Sequence, residues 1–300
     1  MTGMNRKEFL KLSGILFGGL MIPSKKTFAK YLLAEGNFRS LREGVGIYTN
    51  RGGTIGWYVS DDAAVIIDSQ FPETAKYFMD DLRNKHNTKV DFLFNTHHHN
   101  DHTAGNVYLK DFVKDIIAQE NCVKLQKQNA KDETIFVTAN RTFTKEWNEN
   151  LPDEKITAWH LAPAHTSGDA IVFFENANIA HLGDLVFNGI YPYMDLAGGC
   201  SISGSIKFLD VIIKKYDDET LFIFGHAANS ERVTGNIDDV VCMKNYMEAL
   251  LSFVSKQIKE GKQLEEIAKA GYVPGFENQK ATWDGALKMN LEAAYIELHP

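Results

Sequence analysis

Four imidazoles and a carboxylate fall within six residues, His97-His98-His99-Asn100-Asp101-His102, directly after the apolar run Val90–Asn95. A loop at the C-terminal end of a strand is where a rigid scaffold can aim ligands. In an extended backbone alternate residues face one side, so His97, His99 and Asp101 can converge, with His102 turned towards a neighbouring position. Imidazole nitrogen and carboxylate oxygen without thiolate suit Zn²⁺, Mn²⁺ or Fe²⁺. Three later segments each place one more ligand type at the end of an apolar strand: Ala164-His165-Thr166-Ser167-Gly168-Asp169, Leu182-Gly183-Asp184 and Phe224-Gly225-His226. Glycine or small neighbours there let the backbone turn tightly and bring a ligand close to a metal.

Taken together, HHHNDH followed in order by AHTSGD, GD and GH resembles the metallo-β-lactamase superfamily, over about Gly44 to Ala228. The resemblance implies an α+β fold, a four-layer αββα sandwich with two facing sheets, helices outside and the metals at one edge. It implies that His97, His99 and His165 hold one metal, that Asp101, His102 and His226 hold the second, and that Asp184 bridges them. His99 stands where related flavo-diiron proteins carry glutamate, and no flavodoxin-like domain accompanies it. Both features favour two Zn²⁺, with Mn²⁺ or Fe²⁺ as alternatives, and hydrolysis over redox chemistry.

Two cations about 3.5–4 Å apart can share a hydroxide that attacks a carbonyl at neutral pH, with one metal steadying the oxyanion. Asp101 can accept a hydrogen bond from that hydroxide, which makes it the candidate catalytic residue. Thr96, Thr166 and Asp68 are candidates for holding the imidazoles in place. Tyr191 and Tyr193 are expected to pack, with hydrogen bonding to a substrate carbonyl as the alternative role. Trp57 and Phe71 either wall the pocket or belong to the core. His98 and Asn100 are expected to point away from the metals, and His160 and His181 to be ordinary core or surface histidines.

Within the superfamily, one lactamase subclass places a thiolate where this chain has Asp184, and a lysine where it has Phe187. Cys200 follows Gly198-Gly199 and looks like the thiolate's context, but it lies further from His165 than Asp184 does. A bridging aspartate is typical of thioesterase-like, lactonase and phosphodiesterase branches. The expectation is hydrolysis of a carboxylic ester, lactone or thioester. Opening of β-lactams is the alternative, and a non-catalytic metal- or ligand-binding protein is the alternative from another class.

The rest of the chain must position these residues. Three hundred residues with 44% hydrophobic side chains support a sizeable core. A formal net charge of −7 without a basic run argues against nucleic acid as a partner, leaving a small-molecule substrate. The cysteines Cys122, Cys200 and Cys242 show no paired spacing. From Met4 a cationic start (Arg6, Lys7, Lys11) precedes an apolar stretch, Leu12 to Ile22, and small residues near Ala29. Residues 1–30 therefore read as an export signal resembling the twin-arginine type, with Lys7 where a second arginine is usual. The expectation is a periplasmic enzyme with no membrane span in its mature form and a single catalytic domain over 31–300.

The pattern predicts a meander over Ile47–Asn50, Thr54–Ser60 and Ala63–Asp68, then a helix from Pro72 to about His86. Strands are expected at Val90–Asn95, Val113–Ala118, Ile156–Leu161, Ala170–Glu175, Ile179–His181 and Thr220–Phe224. Helices are expected at Thr103 to Lys110, Glu120–Lys131, Ser203–Tyr216 and through the tail from Ile237.

Overall fold

Apolar runs buried on both faces govern the architecture, because such a strand must lie inside a stack of layers. The computed structural model describes residues 37–86, 89–129 and 136–299, which belong to one compact unit. The expected export signal, residues 1–30, lies outside the described residues.

The first sheet runs in chain order: β1 (Asn37–Arg42), β2 (Val45–Thr49), β3 (Ile55–Val59), β4 (Ala64–Ile67), β5 (Val90–Asn95), β6 (Val113–Gln119) and β7 (Arg141–Phe143). Its first four strands pair antiparallel and the rest parallel. The remaining strands are β8 (Glu146–Asn150), β9 (Lys155–Trp159), β10 (Ile171–Phe174), β11 (Ile179–His181), β12 (Phe187–Asn188), β13 (Leu221–Ile223), β14 (His226–Ala227) and β15 (Thr234–Gly235). They form a second sheet in the order β15-β13-β11-β10-β9-β8 and a small parallel pair, β12 with β14.

Side-chain alternation assigns the layers. Val65, Ile67, Phe92 and Phe94 of the first sheet meet Ile156, Val172, Phe174 and Ile223 of the second in a core between the sheets. The alternate residues Ile66 and Leu93 turn outward onto Phe78, Met79 and Leu82 of helix α1 (Pro72–Lys85). On the opposite flank Ile171, Ala180 and Phe222 pack against Phe208 and Ile212 of one helix (Ile202–Lys215) and Tyr246 and Leu250 of another (Ile237–Lys259). The result is the αββα sandwich that the motifs led us to expect.

Most elements fall where the sequence placed them, and several differ. β1, β7 and β8 were not expected; their exposed, polar alternation lacks an apolar run. The expected helix over Thr103–Lys110 is two short ones, Asn100–Thr103 and Asn106–Leu109. Among the described residues no helix is long and apolar enough to cross a membrane, and the three cysteines are free.

Candidate metal centre

The chain ends of β4, β5, β11 and β13 open at one edge of the sandwich, and each carries a site residue one to three positions later. After β5 the chain bends through residues 96–98, His99 is extended at φ −62° and ψ 146°, and Asp101 and His102 already belong to the helical turn Asn100–Thr103. This corrects the expectation that Asp101 would join His97 and His99 by simple alternation. The turn sends Asp101 and His102 to a second cluster.

In the first cluster His97 Nε2 lies 3.1 Å from His99 Nδ1, which lies 3.0 Å from His165 Nε2. Each ring spends its other nitrogen outward. His97 Nδ1 meets Thr96 Oγ1 at 3.0 Å, His99 Nε2 meets Asp195 Oδ2 at 2.9 Å, and His165 Nδ1 meets the Tyr193 carbonyl at 3.1 Å. With the N–H groups donated outward, three lone pairs point at one another. That arrangement is repulsive unless a cation sits among them, and tetrahedral zinc would hold such nitrogens roughly 3.3 Å apart.

The second cluster joins His226 Nε2 to Asp101 Oδ2 at 3.0 Å and to His102 Nε2 at 3.3 Å. His102 is fully buried, and its Nδ1–H donates to Asp68 Oδ2 at 2.7 Å. Asp68 also accepts from the Thr96 N–H and hydroxyl, both at 2.8 Å. It does so from φ +63°, a strained conformation for a non-glycine residue that the hydrogen bonds hold in place.

Asp184 lies between the clusters. Its Oδ2 is 3.5 Å from His165 Nε2 and 3.5 Å from His226 Nε2, and its Oδ1 is 3.1 Å from His102 Nε2. Oδ1 is buried without a well-aligned hydrogen bond, an orphan that a metal would satisfy. Gly225 makes the approach feasible, since a Cβ there would sit 1.9 Å from Asp184 Oδ1. All seven residues singled out in the sequence are thus brought together in two groups of three with Asp184 between, and the donor set fits two metal positions.

Burial holds His97 well below the usual imidazole range and His165 down at about 3, so both stay neutral. Burial also opposes charge on His102 and His226, but Asp184 and Asp101 overcome it and raise both. Against its own burial, the Asp101 carboxyl is held at about 2 by His102 and His226.

Among the neighbours, Thr166 departs from expectation. Thr166 holds no imidazole; its N–H and hydroxyl donate to Asp169, tying the turn that follows His165. Cys200 is not among the ligand groups; burial pushes its thiol up to about 12, and its Sγ contacts Met194. Trp57 stacks on Phe38 in the outer core, and Phe71 lies under Arg51; neither lines the site cavity. His181 is buried beside the Thr54 carbonyl, and His160 meets the Asp169 carbonyl. Tyr191 packs on Tyr246 in the core. His98 Nε2 lies 3.4 Å from Asp195 Oδ2 and its ring 4.5 Å from that of His99, so His98, His99 and Asp195 make a third potential ligand group. Asp195 and Trp283 were missed, and only the Gly198-Gly199 turn after Asp195 offered a signal.

A cavity of about 480 Å³ opens over the two clusters. Beyond the ligands its walls are Asn100, Phe187, Ile190, Tyr193, Ala227, Thr282 and Trp283, and no described lysine or arginine lines it. A larger groove of about 720 Å³ lies on the outer face of the second sheet, around Trp147, Trp159 and Phe173. It contains none of the clustered ligands, so the smaller cavity is the one that belongs to the chemistry.

Residues 48–226 match the family described as the metallo-beta-lactamase superfamily. A "Hydroxyacylglutathione hydrolase" of Dictyostelium discoideum is 27% identical over 147 residues, 46% of this chain. The chain spans about half the length of that relative, 48%. A metallo-beta-lactamase from Pontibacter korlensis shares the fold with a TM-score of 0.60 at 15% identity, over 71% of this chain and 99% of that one. The sec-alkylsulfatase Pisa1 from Pseudomonas sp. shares it with a TM-score of 0.69 at 15% identity, over 87% of this chain and 50% of that one. The chain belongs to the metallo-beta-lactamase superfamily, whose members are metal-dependent hydrolases.

Proposed function

We propose that this member of the superfamily is a binuclear zinc hydrolase acting on a carboxylic ester, lactone or thioester. The observation that carries the reading is the placement of Asp184, whose two oxygens reach ligand nitrogens of both clusters. The name of the Dictyostelium relative, a hydroxyacylglutathione hydrolase, supports thioester chemistry within that class.

Divalent cations held by the two clusters would supply Lewis acidity and a water acidified enough to react at neutral pH. The chain's own residues do the rest. Asp101, 32% exposed at its side chain and ionised at neutral pH, is placed to accept a hydrogen bond from the attacking water and orient it. Phe187 seals the floor, its ring stacked on His226 at 5.5 Å and 5.6 Å from His165. Tyr193 and Trp283, with ring centroids 6.1 Å apart, offer an apolar wall for the acyl or alcohol part of the substrate. Among the described residues no lysine or arginine lines the cavity, so an anionic group of the substrate would find no cationic side chain there.

A chromogenic panel of esters, lactones, thioesters, phosphodiesters and a cephalosporin, run with zinc and with manganese, tests this. The greatest kcat/KM should fall on the carboxylic ester, lactone or thioester arm. Turnover confined to the phosphodiester or the cephalosporin would overturn the assignment.

A further inference from the structure

The segment 193–198 reaches the first ligand cluster twice from the side away from the metal position. The Tyr193 carbonyl accepts from His165 Nδ1 at 3.1 Å, and Asp195 Oδ2 accepts from His99 Nε2 at 2.9 Å. These are two of the three imidazoles in that cluster. Asp195 is itself held: the Gly198 N–H donates to its Oδ1 at 2.9 Å, and the Cys200 N–H to its carbonyl at 2.9 Å. The Ser167 N–H donates to the Gly198 carbonyl at 2.8 Å, which ties the segment to the turn that carries His165. His98 adds a further contact. Its ring is buried, both nitrogens lack an aligned hydrogen bond, and its Nε2 is 3.4 Å from Asp195 Oδ2. Space there is tight, since a Cβ on Gly198 would lie 2.0 Å from Asp195 Oδ2 and 2.9 Å from His98 Cε1.

We propose that Asp195 is a positioning residue for the metal centre: it takes the His99 Nε2–H and so fixes the ring with the Nδ1 lone pair towards the metal position. His99 is the one ligand of its cluster that must present Nδ1, the nitrogen nearer its own backbone, so the ring needs a partner on the far side to hold that orientation. A carboxylate does this better than a neutral acceptor, because its charge also strengthens the imidazole as a donor to the metal. The same segment carries Tyr193 to the wall of the substrate cavity, so substrate contact and ligand orientation share one short piece of chain. This inference rests on the metal-centre reading but not on any substrate.

The test is metal affinity, measured by chelator competition on the full chain, with apo-protein melting as the control for folding. Asp195→Ala should weaken the tighter zinc by about 10–100-fold while apo melting stays unchanged. Asp195→Asn keeps an oxygen acceptor at the same place and should recover most of the loss. Gly198→Ala drives a methyl into the Asp195 carboxylate and should weaken zinc in the same direction, which covers the case of an Asp195→Ala chain that does not fold. The d–d absorption of cobalt-substituted protein should change in Asp195→Ala, since the His99 ring would no longer be held. Unchanged affinity in Asp195→Ala and Gly198→Ala, or equal loss in the Ala and Asn variants, would overturn the proposal. So would a third metal in the wild type that disappears with Asp195, because His98, His99 and Asp195 would then be ligands themselves. A chain that binds zinc as stated but cleaves no ester would overturn the substrate assignment and leave this inference standing.

Discussion

The two ligand clusters lie side by side yet solve the metal-binding problem in opposite ways. The first is three imidazoles, with His97 and His165 so buried that both stay neutral, and each ring is fixed by an outward hydrogen bond. The second mixes a carboxylate with two imidazoles, and Asp101 and His226 are 32% and 26% exposed at their side chains. There the rings are raised rather than lowered, so the metal-free cluster balances its carboxylates with protons. A preorganised cluster with two neutral rings should bind first and tightly, whereas a proton-filled one must exchange protons for metal. The asymmetry also suits catalysis, since the more exposed half gives the cavity two of its ligands, Asp101 and His226, and the buried half only His99.

Asp184 belongs to both halves, so its loss should have the largest effect. Asp184→Asn keeps the shape but removes the charge and one oxygen donor. Elemental analysis should fall from about two zinc per chain towards one, the second position emptying first. Hydrolysis should drop by more than the 10–100-fold typical of outlying partners. Retention of two metals with near-normal turnover would show that Asp184 is not shared between the positions.

Asp68→Ala separates the halves. It frees the His102 ring and strands the Thr96 hydroxyl, while the Thr96-to-His97 contact keeps its own geometry. Affinity at the second position should fall about 10–100-fold and the first should change little. Equal loss at both would mean that Asp68 supports the loop as a whole.

How legible this asymmetry was in the sequence depends on distance along the chain. His97, His99, Asp101 and His102 share one hexapeptide, and His165, Asp184 and His226 each follow an apolar run, so residue type and strand ends sufficed. The strands that carry them were equally plain, since a strand buried on both faces reads as an unbroken apolar run. β1, β7 and β8 lie at sheet edges with alternate exposed residues and carried no such run. Asp195 reaches His99 across 96 residues and Trp283 comes from the tail; the glycine pair after Asp195 marks a turn but not which residue that turn meets on folding. Thr166 misled because a threonine beside a ligand is as well suited to tie a turn as to hold a ring.

Acidity gives a smaller contrast. His102 and His226 hold their protons above the ordinary imidazole range until a metal displaces them. Affinity at the second position should therefore rise with pH, by about tenfold per unit for each displaced proton, and level off once the raised values are passed. At the first position His97 and His165 have already lost their protons, so the slope between about pH 5.5 and 7.5 should be shallower. Zinc titrations at both ends of that range measure this directly; equal slopes would remove the distinction between the halves.

The smallest effect is expected at Tyr193, which meets the first half and the cavity wall by different atoms. Its backbone carbonyl serves His165, while the residue is 41% exposed and its ring meets His99 edge-on at 5.5 Å and lies 6.1 Å from that of Trp283. Tyr193→Phe keeps the carbonyl, the ring and its packing, and loses only a hydroxyl without a hydrogen-bond partner among the described residues. If the wall acts by apolar contact, kcat/KM should change by no more than about threefold, below the roughly 1 kcal/mol of a typical hydrogen bond. Tyr193→Ala keeps the carbonyl but strips the wall, so KM should rise about tenfold, the effect of about 1.4 kcal/mol of lost contact. Zinc affinity should stay level in both variants, because the atom that holds His165 is backbone. A large loss in Tyr193→Phe confined to kcat would instead assign the hydroxyl to the reacting carbonyl, and the apolar-wall account of the cavity would fail.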